Sequence, residues 1–190
     1  MSKKSSTRRT FLKCAAGAVA APMIVSASAL GRTATAPSNR VNVGLIGAGG
    51  RGKAHASMWP HFSEEMHLAA VADMNRNHRS DARKLITDLF GNDDRDYYDD
   101  YREILTRDDI DAVVIAIPDH WHALTAIAAA RAGKNVYLEK PFSFSIAEGR
   151  AIVNEIKKSG VVFQHGTQQR SAEEYRIACQ LALNGYLGEL

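Results

Sequence analysis

Cysteine is nearly absent from this 190-residue sequence, which has only Cys14 and Cys179. Cys14 falls within the first 29 residues and directly follows Lys13, an unconvincing setting for lipidation. Downstream of those residues a lone thiol cannot build a disulfide framework, so the fold must rest on an apolar core. Acidic residues are missing from the same 29 positions, which instead carry Lys3, Lys4, Arg8, Arg9 and Lys13. The formal charge of +3 therefore belongs to these 29 residues: without those five, 19 basic residues face 21 acidic ones. With no basic excess left, the sequence carries no footprint of a nucleic-acid partner. Strongly apolar runs of bilayer length are also lacking. The stretch from Ala15 to Leu30 is small-residued and interrupted by Pro22, short of the roughly 20 strongly apolar residues a spanning helix needs. His55, His61 and His67 form no cluster of ligand spacing, so no metal is expected. No repeat of solenoid length occurs. What is present is an apolar fraction of 45%, enough for one good core and the beginning of a second.

Thr7-Arg8-Arg9-Thr10-Phe11-Leu12-Lys13 precedes the Ala-rich stretch, which contains Ala27-Ser28-Ala29 as a cleavage candidate. Residues 1–29 thus resemble a twin-arginine signal peptide. The resemblance implies export in the folded state by the twin-arginine machinery, to the periplasm or beyond, with any cofactor loaded inside the cell. A basic tail or an uncleaved anchor helix are the alternatives. Residues 30–40, rich in Thr, Ala, Pro and Ser, read as a linker.

From Val41 onward an apolar run, a turn and a helical period recur. Val41–Ile46 precedes a helix running past Gly52, and Leu68–Ala72 precedes one through Leu85 and Leu89. A weak third strand near Tyr97-Tyr98 leads into Tyr101–Leu105, followed by the strongest strand, Ala112–Ile117, and a helix from His122 to Ala132. Val136–Leu138, a helix over Ile146–Lys158 with Gly160 as its C-cap, and a strand at Val161–Phe163 complete the alternation. Apolar strands this continuous are buried on both faces, as parallel sheets covered by helices require. The expected fold class is α/β, a doubly wound parallel Rossmann sheet.

Gly47-Ala48-Gly49-Gly50-Arg51-Gly52 is a G-x-G-x-x-G run that follows a strand and opens a helix. At those positions Gly47 permits a tight turn, Gly49 lets the backbone approach a pyrophosphate, and Gly52 allows close helix–strand packing; Gly50 and Arg51 lie in the same loop. Helix N–H groups there face the anion. Asp73 ends the second strand about twenty residues later, where an acid accepts from a ribose 2′-hydroxyl and repels a 2′-phosphate. NAD is therefore expected over NADP, with Arg76 as a residue that could instead attract a phosphate or stack on adenine.

Ile117-Pro118-Asp119-His120-Trp121-His122 closes the fourth strand, and Gly133-Lys134-Asn135-Val136-Tyr137-Leu138-Glu139-Lys140-Pro141 spans the fifth. Together with the fingerprint these segments resemble the Gfo/Idh/MocA oxidoreductases, from Val41 to the end of the chain. The resemblance implies hydride transfer between nicotinamide and a hydroxyl of a sugar, inositol or related polyol. It places Lys140 beside the nicotinamide and the reacting carbon, and Glu139 in support of the ribose region. Asp119 stands where the family commonly has Asn, which removes an amide donor. A free lysine is a poor base near neutrality. Burial beside a cationic ring favours the neutral amine, so Lys140 would take or relay the hydroxyl proton. His122 begins a helix, whose dipole disfavours an imidazolium, so a neutral ring contacting cofactor or substrate is expected, with a structural helix-start role as the alternative. Pro118 and His120 are candidates for the cofactor side, Trp121 for cofactor or packing, and Arg170 for the substrate.

By the same resemblance, residues 41–165 form the nucleotide-binding domain. Residues 166–190 lead into an α+β substrate domain at whose start the chain stops, so alone it would bind cofactor without turnover. A homo-oligomer is expected of the full-length protein. Two rivals stand beside the dehydrogenase: an NAD-dependent glycosidase that oxidises and re-reduces its sugar transiently, and a non-catalytic sugar- or NAD-binding module. The Glu139-Lys140-Pro141 triplet argues against the glycosidase branch, which tends to lack it.

Overall fold

The computed structural model describes residues 39–188. The leader and most of the linker expected from the sequence lie outside them. Among the described residues six strands and six α-helices alternate: β1 (Val41–Ile46), α1 (Gly50–Met58), β2 (Met66–Ala72), α2 (Arg76–Phe90), β3 (Asp96–Tyr98), α3 (Tyr101–Leu105), β4 (Ala112–Ile115), α4 (His122–Arg131), β5 (Asn135–Glu139), α5 (Ile146–Ser159), β6 (Phe163–Gly166) and α6 (Glu173–Leu183). The strands form one sheet in the order β3-β2-β1-β4-β5-β6, and every neighbouring pair is parallel. The expected α/β class and doubly wound topology hold. The chain order reverses between β1 and β4, and a crevice opens at such a switch point beyond the carboxyl ends of the strands.

Both faces of the sheet are covered, as the unbroken apolar strands require. Val43 and Leu45 of β1 and Leu68 and Val71 of β2 bury against α1 and α2, meeting Ala56, Trp59, Ala82 and Ile86. Ile46, Val113, Ile115, Val136 and Leu138 face the other side, against Ile104, Ala123, Ala126 and Ile152. Each Leu or Ile buried this completely contributes about 1.5–3 kcal/mol, so the strands that hold the crevice are the most strongly anchored part of the domain.

Local chemistry sets the helix limits. The Asn75 side chain caps α2 by accepting from the Asn77 N–H, and Gly91 ends it with φ +71°. Ser145 and Glu148 form a reciprocal capping box on α5, and Gly160 terminates it at φ +72°, as its place in the sequence foretold. Two strand limits differ from expectation. β6 begins at Phe163 rather than Val161, because the Val162 N–H is taken by the Asn135 side chain (2.9 Å) and the regular ladder runs from Phe163 through the polar Gln164 and His165. β4 ends at Ile115, two residues early, where the chain turns toward Pro118. The α6 helix has no buried residue. No helix among the described residues is long and apolar enough to cross a membrane.

Candidate cofactor crevice

The loop after β1 shows which glycines are obligatory. Gly47 adopts φ +96°, and a Cβ there would stand 2.3 Å from the Ala116 carbonyl oxygen. At Gly52 a Cβ would lie 1.9 Å from the Gly47 carbonyl oxygen, so the first turn of α1 packs backbone to backbone on the strand end. Gly49 and Gly50 differ: a Cβ at Gly50 would meet nothing within 4 Å, and at Gly49 only the His78 ring at 3.7 Å. Those two positions leave the backbone open to an incoming group. Gly49 caps α1 without any side-chain hydrogen bond, so the first N–H groups of the helix and the positive end of its dipole are available to an anion.

A crevice of about 840 Å³ opens over this loop, walled by Gly47, Gly49, Gly50, Arg51, Asp73 and Pro118 among others. Asp73 stands at the end of β2 with its carboxylate locked in place. Oδ2 accepts from the Ala48 N–H (2.8 Å), Oδ1 accepts from the Asn75 N–H (2.8 Å), and His78 Nδ1 lies 3.2 Å from Oδ2. A carboxylate offers about four acceptor sites, so capacity remains on Oδ1 for a hydroxyl from the crevice. Arg76, the other residue read as shaping cofactor choice, is exposed at the first position of α2 and is not part of the wall. Its neighbours Met74, Asn75 and His78 are. None of those three was singled out in the sequence, although a helix capped by Asn75 brings position 78 round to the Asp73 side. Thr125 of α4 was missed as well. It is fully buried, lines the crevice, and its hydroxyl has no protein partner.

On the other side of the switch point Pro118 and Trp121 line the crevice. His120 is exposed, its ring 6.3 Å from that of Trp121, and is not in the wall. The expectation that the His122 ring faces cofactor or substrate is corrected. That ring is fully buried, with Nδ1 2.6 Å from the Pro141 carbonyl oxygen and Nε2 2.9 Å from that of Ile117. Carbonyl oxygens only accept, and a neutral imidazole donates to one of the two at a time. His122 therefore ties the loop after β4 to the loop after β5, and its nitrogens have nothing left for a ligand.

Glu139 ends β5 and is 2% exposed. Its Oε1 accepts from Arg51 Nε (2.7 Å) and pairs with His55 Nε2 (2.8 Å), while Oε2 accepts from the Lys140 N–H (3.1 Å). Burial pushes its carboxyl up, but hydrogen bonds from Arg51, His55 and the Lys140 peptide outweigh that and hold it below the ordinary glutamate value. Glu139 thus sits behind Arg51, and Arg51 lines the crevice. Gln168, also missed in the sequence, completes the arrangement. With its amide oriented to satisfy both neighbours, the nitrogen donates to the Gly166 carbonyl (2.9 Å) and the oxygen accepts from Arg51 Nη2 (3.1 Å). The Lys140 side chain is exposed at the carboxyl edge of the sheet, and its peptide bond to Pro141 is cis. Arg170 is exposed in the short turn before α6 and is not in the wall of this crevice. Among the described residues no group of three His, Cys, Asp or Glu side chains is placed to hold a metal ion.

Three observations fit an elongated, anionic nucleotide. These are the open glycine backbone at an uncapped helix start, the anchored carboxylate at the end of β2, and the orphaned Thr125 hydroxyl in the wall. Fold and crevice together define a dinucleotide-binding domain of the doubly wound class. The chain belongs to the GFO_IDH_MocA family: the model of that oxidoreductase family, with its NAD-binding Rossmann fold, matches residues 41–167. It is similar to scyllo-inositol dehydrogenase from Lactobacillus casei, solved with NAD(H) and scyllo-inositol (28% identity, TM-score 0.66, covering 79% of this chain and 43% of that one). Myo-inositol 2-dehydrogenase from Lactobacillus plantarum is similar too (27% identity, TM-score 0.67, 80% of this chain and 43% of that one). An alpha-N-acetylgalactosaminidase of Shewanella oneidensis is 29% identical over 207 residues, 96% of this chain and 44% of the relative. The chain thus spans less than half the length of these relatives. The matched family model is that of an NAD-binding Rossmann fold, so NAD is the cofactor class of the family to which the chain belongs.

Proposed function

We propose that the full-length protein transfers a hydride between NAD and a hydroxyl-bearing carbon of a sugar, inositol or related polyol. The observation that supports this most is the placement of Lys140. It stands free at the carboxyl edge of the sheet, directly after a carboxylate that is tied to Arg51 in the cofactor crevice. Bound NAD would accept the hydride. Lys140 takes up or relays the hydroxyl proton, His122 holds the loop that carries it against the loop after β4, and Asp73 engages the adenosine ribose and disfavours a 2′-phosphate. The test is single-turnover reduction of bound NAD by the full-length protein, followed by nicotinamide absorbance over a panel of sugars and inositols. Lys140→Met should retain NAD affinity and slow hydride transfer by roughly 10² to 10⁴, the usual cost of removing a positioned acid or base. An unaltered rate would make the lysine structural.

A second reading is favoured by the similarity to the N-acetylgalactosaminidase over 96% of the chain. In it the sugar is oxidised and re-reduced within one turnover, so a glycosidic bond is cleaved without net change in NAD. Release of N-acetylgalactosamine from an aryl glycoside with no accumulating NADH would select this reading, and steady NADH formation the first. The Glu139-Lys140-Pro141 triplet is the feature that favours the dehydrogenase.

We also propose export by the twin-arginine route to the periplasm or the exterior, motivated by Arg8-Arg9 before Phe11-Leu12-Lys13. Replacing both arginines with lysine should trap the precursor inside the cell, and unchanged export would refute the reading.

A further inference from the structure

Glu139 is nearly inaccessible, yet it gathers two of its three donors from one helix more than eighty residues away along the chain. Arg51 Nε and His55 Nε2 come from the first helix, 88 and 84 positions distant, and the third donor is the adjacent Lys140 peptide. A buried carboxylate persists only when paired and hydrogen-bonded, and removing one partner leaves charge uncompensated. Both oxygens of this one are hydrogen-bonded. Arg51 is the only member of the cluster that reaches the crevice over the glycine loop, with its side chain 42% exposed against 3% for Glu139. Glu139 and Gln168 occupy two of its five N–H donors, which leaves three. The guanidinium is therefore held in one place beside an uncapped helix start, with donors to spare for an anion.

His55 does not touch the crevice. Its ring is 17% exposed and meets Tyr137 of β5 edge-on at 5.5 Å, which fixes the ring plane while Nε2 bonds Glu139. We propose that His55 is a positioning residue for the cofactor: acting through Glu139, it holds Arg51 ready to clamp the pyrophosphate of NAD. A long, flexible side chain ordered in advance loses less freedom on binding, so preorganisation appears as affinity. Gln168 holds Nη2 of the same guanidinium and has the same role from the segment after β6. The inference rests on NAD as the occupant of the crevice, and on no assumption about the substrate.

The experiment is a double-mutant cycle on NADH affinity in the full-length protein, read by nicotinamide fluorescence, with thermal unfolding measured in parallel. Arg51→Met should weaken NADH binding tenfold or more. His55→Phe, which keeps the ring contact with Tyr137 but removes the donor, should weaken it about five- to tenfold. In the Arg51→Met background His55→Phe should have almost no further effect, because the clamp it positions is already gone. His55→Gln, which returns an N–H near the Nε2 position, should recover most of the loss. Equal effects of His55→Phe with and without Arg51, or no effect in either, would overturn the proposal. If His55→Phe fails to fold, Gln168→Leu replaces it in the same cycle, with the same two outcomes. An unaltered protein that binds no NADH would overturn the cofactor assignment itself, whereas tight binding with an additive cycle overturns this inference alone.

Discussion

Lys134 provides a sharp test of how the second half of the sheet is held. It sits six residues before Lys140 in the same strand motif, yet the two lysines occupy opposite environments. Lys140 is exposed, whereas Lys134 is 8% exposed, its ammonium donating to the carbonyl oxygens of Arg107 and Ile110 (2.9 Å to the latter). Those carbonyls belong to the segment that leads from α3 into β4, so the side chain fastens the entry of β4 to the entry of β5. Replacing Lys134 with Met keeps the length and apolar stem but leaves both carbonyls without this donor. Hydrogen bonds to charged groups contribute about 1.5–3 kcal/mol each. Relief from burying the ammonium and water reaching the Arg107 carbonyl offset part of that, so the net loss should be about 2–4 kcal/mol. Urea denaturation followed by the fluorescence of Trp59, 5% exposed in the core beside α1, should show the midpoint falling with little change in slope. NADH affinity below the transition should stay within about twofold, because no atom of Lys134 lines the crevice. A stability change under about 0.5 kcal/mol, the range of an ordinary surface substitution, would refute the reasoning.

Three further outcomes follow from the site. Gly52→Ala places a Cβ 1.9 Å from the Gly47 carbonyl oxygen, so α1 must shift away from the strand and NADH affinity should fall at least about tenfold (about 1.4 kcal/mol), as measured by fluorescence titration. Asp73→Ser should narrow the preference for NAD over NADP by removing a like charge from the 2′-phosphate position; tighter binding of NADP by the unaltered protein would show that Asp73 does not hold the ribose. Glu139 has a lowered folded-state pKa, so it contributes stability above its unfolded value of 4.5 that is lost as pH falls through the lower folded value. Unfolding free energy should therefore drop below pH 4.5 more steeply in the unaltered protein than in Glu139→Gln, and parallel acid profiles would refute that assignment.

Much of the architecture could be read from the residues in order. Buried parallel strands announce themselves as unbroken apolar runs, so β1, β2, β4 and β5 were visible, and Gly160 marked the end of α5 because only a residue free to adopt positive φ stops a helix there. The glycine fingerprint and Asp73 were legible for a similar reason: their roles depend on backbone geometry that is local to a strand end. Strand limits at β6 were less so, since the Asn135 side chain that takes the Val162 N–H lies 27 positions away.

Side-chain partnerships at the site were settled by the sheet order. His122, read alone, looked like a ring at a helix start and free to meet a ligand. Only when β4 and β5 lie side by side do the carbonyls of Ile117 and Pro141 close on both its nitrogens. Glu139 belongs to a recognisable triplet, but its partners Arg51 and His55 lie more than eighty residues upstream, and no spacing along the chain connects them. The sequence by itself determined the class of fold, the glycine turn and the acid at the end of β2, because short-range sterics and periodicity decide those. Tertiary structure decided which charged groups meet, because a buried charge takes its partner from whatever element the sheet places beside it.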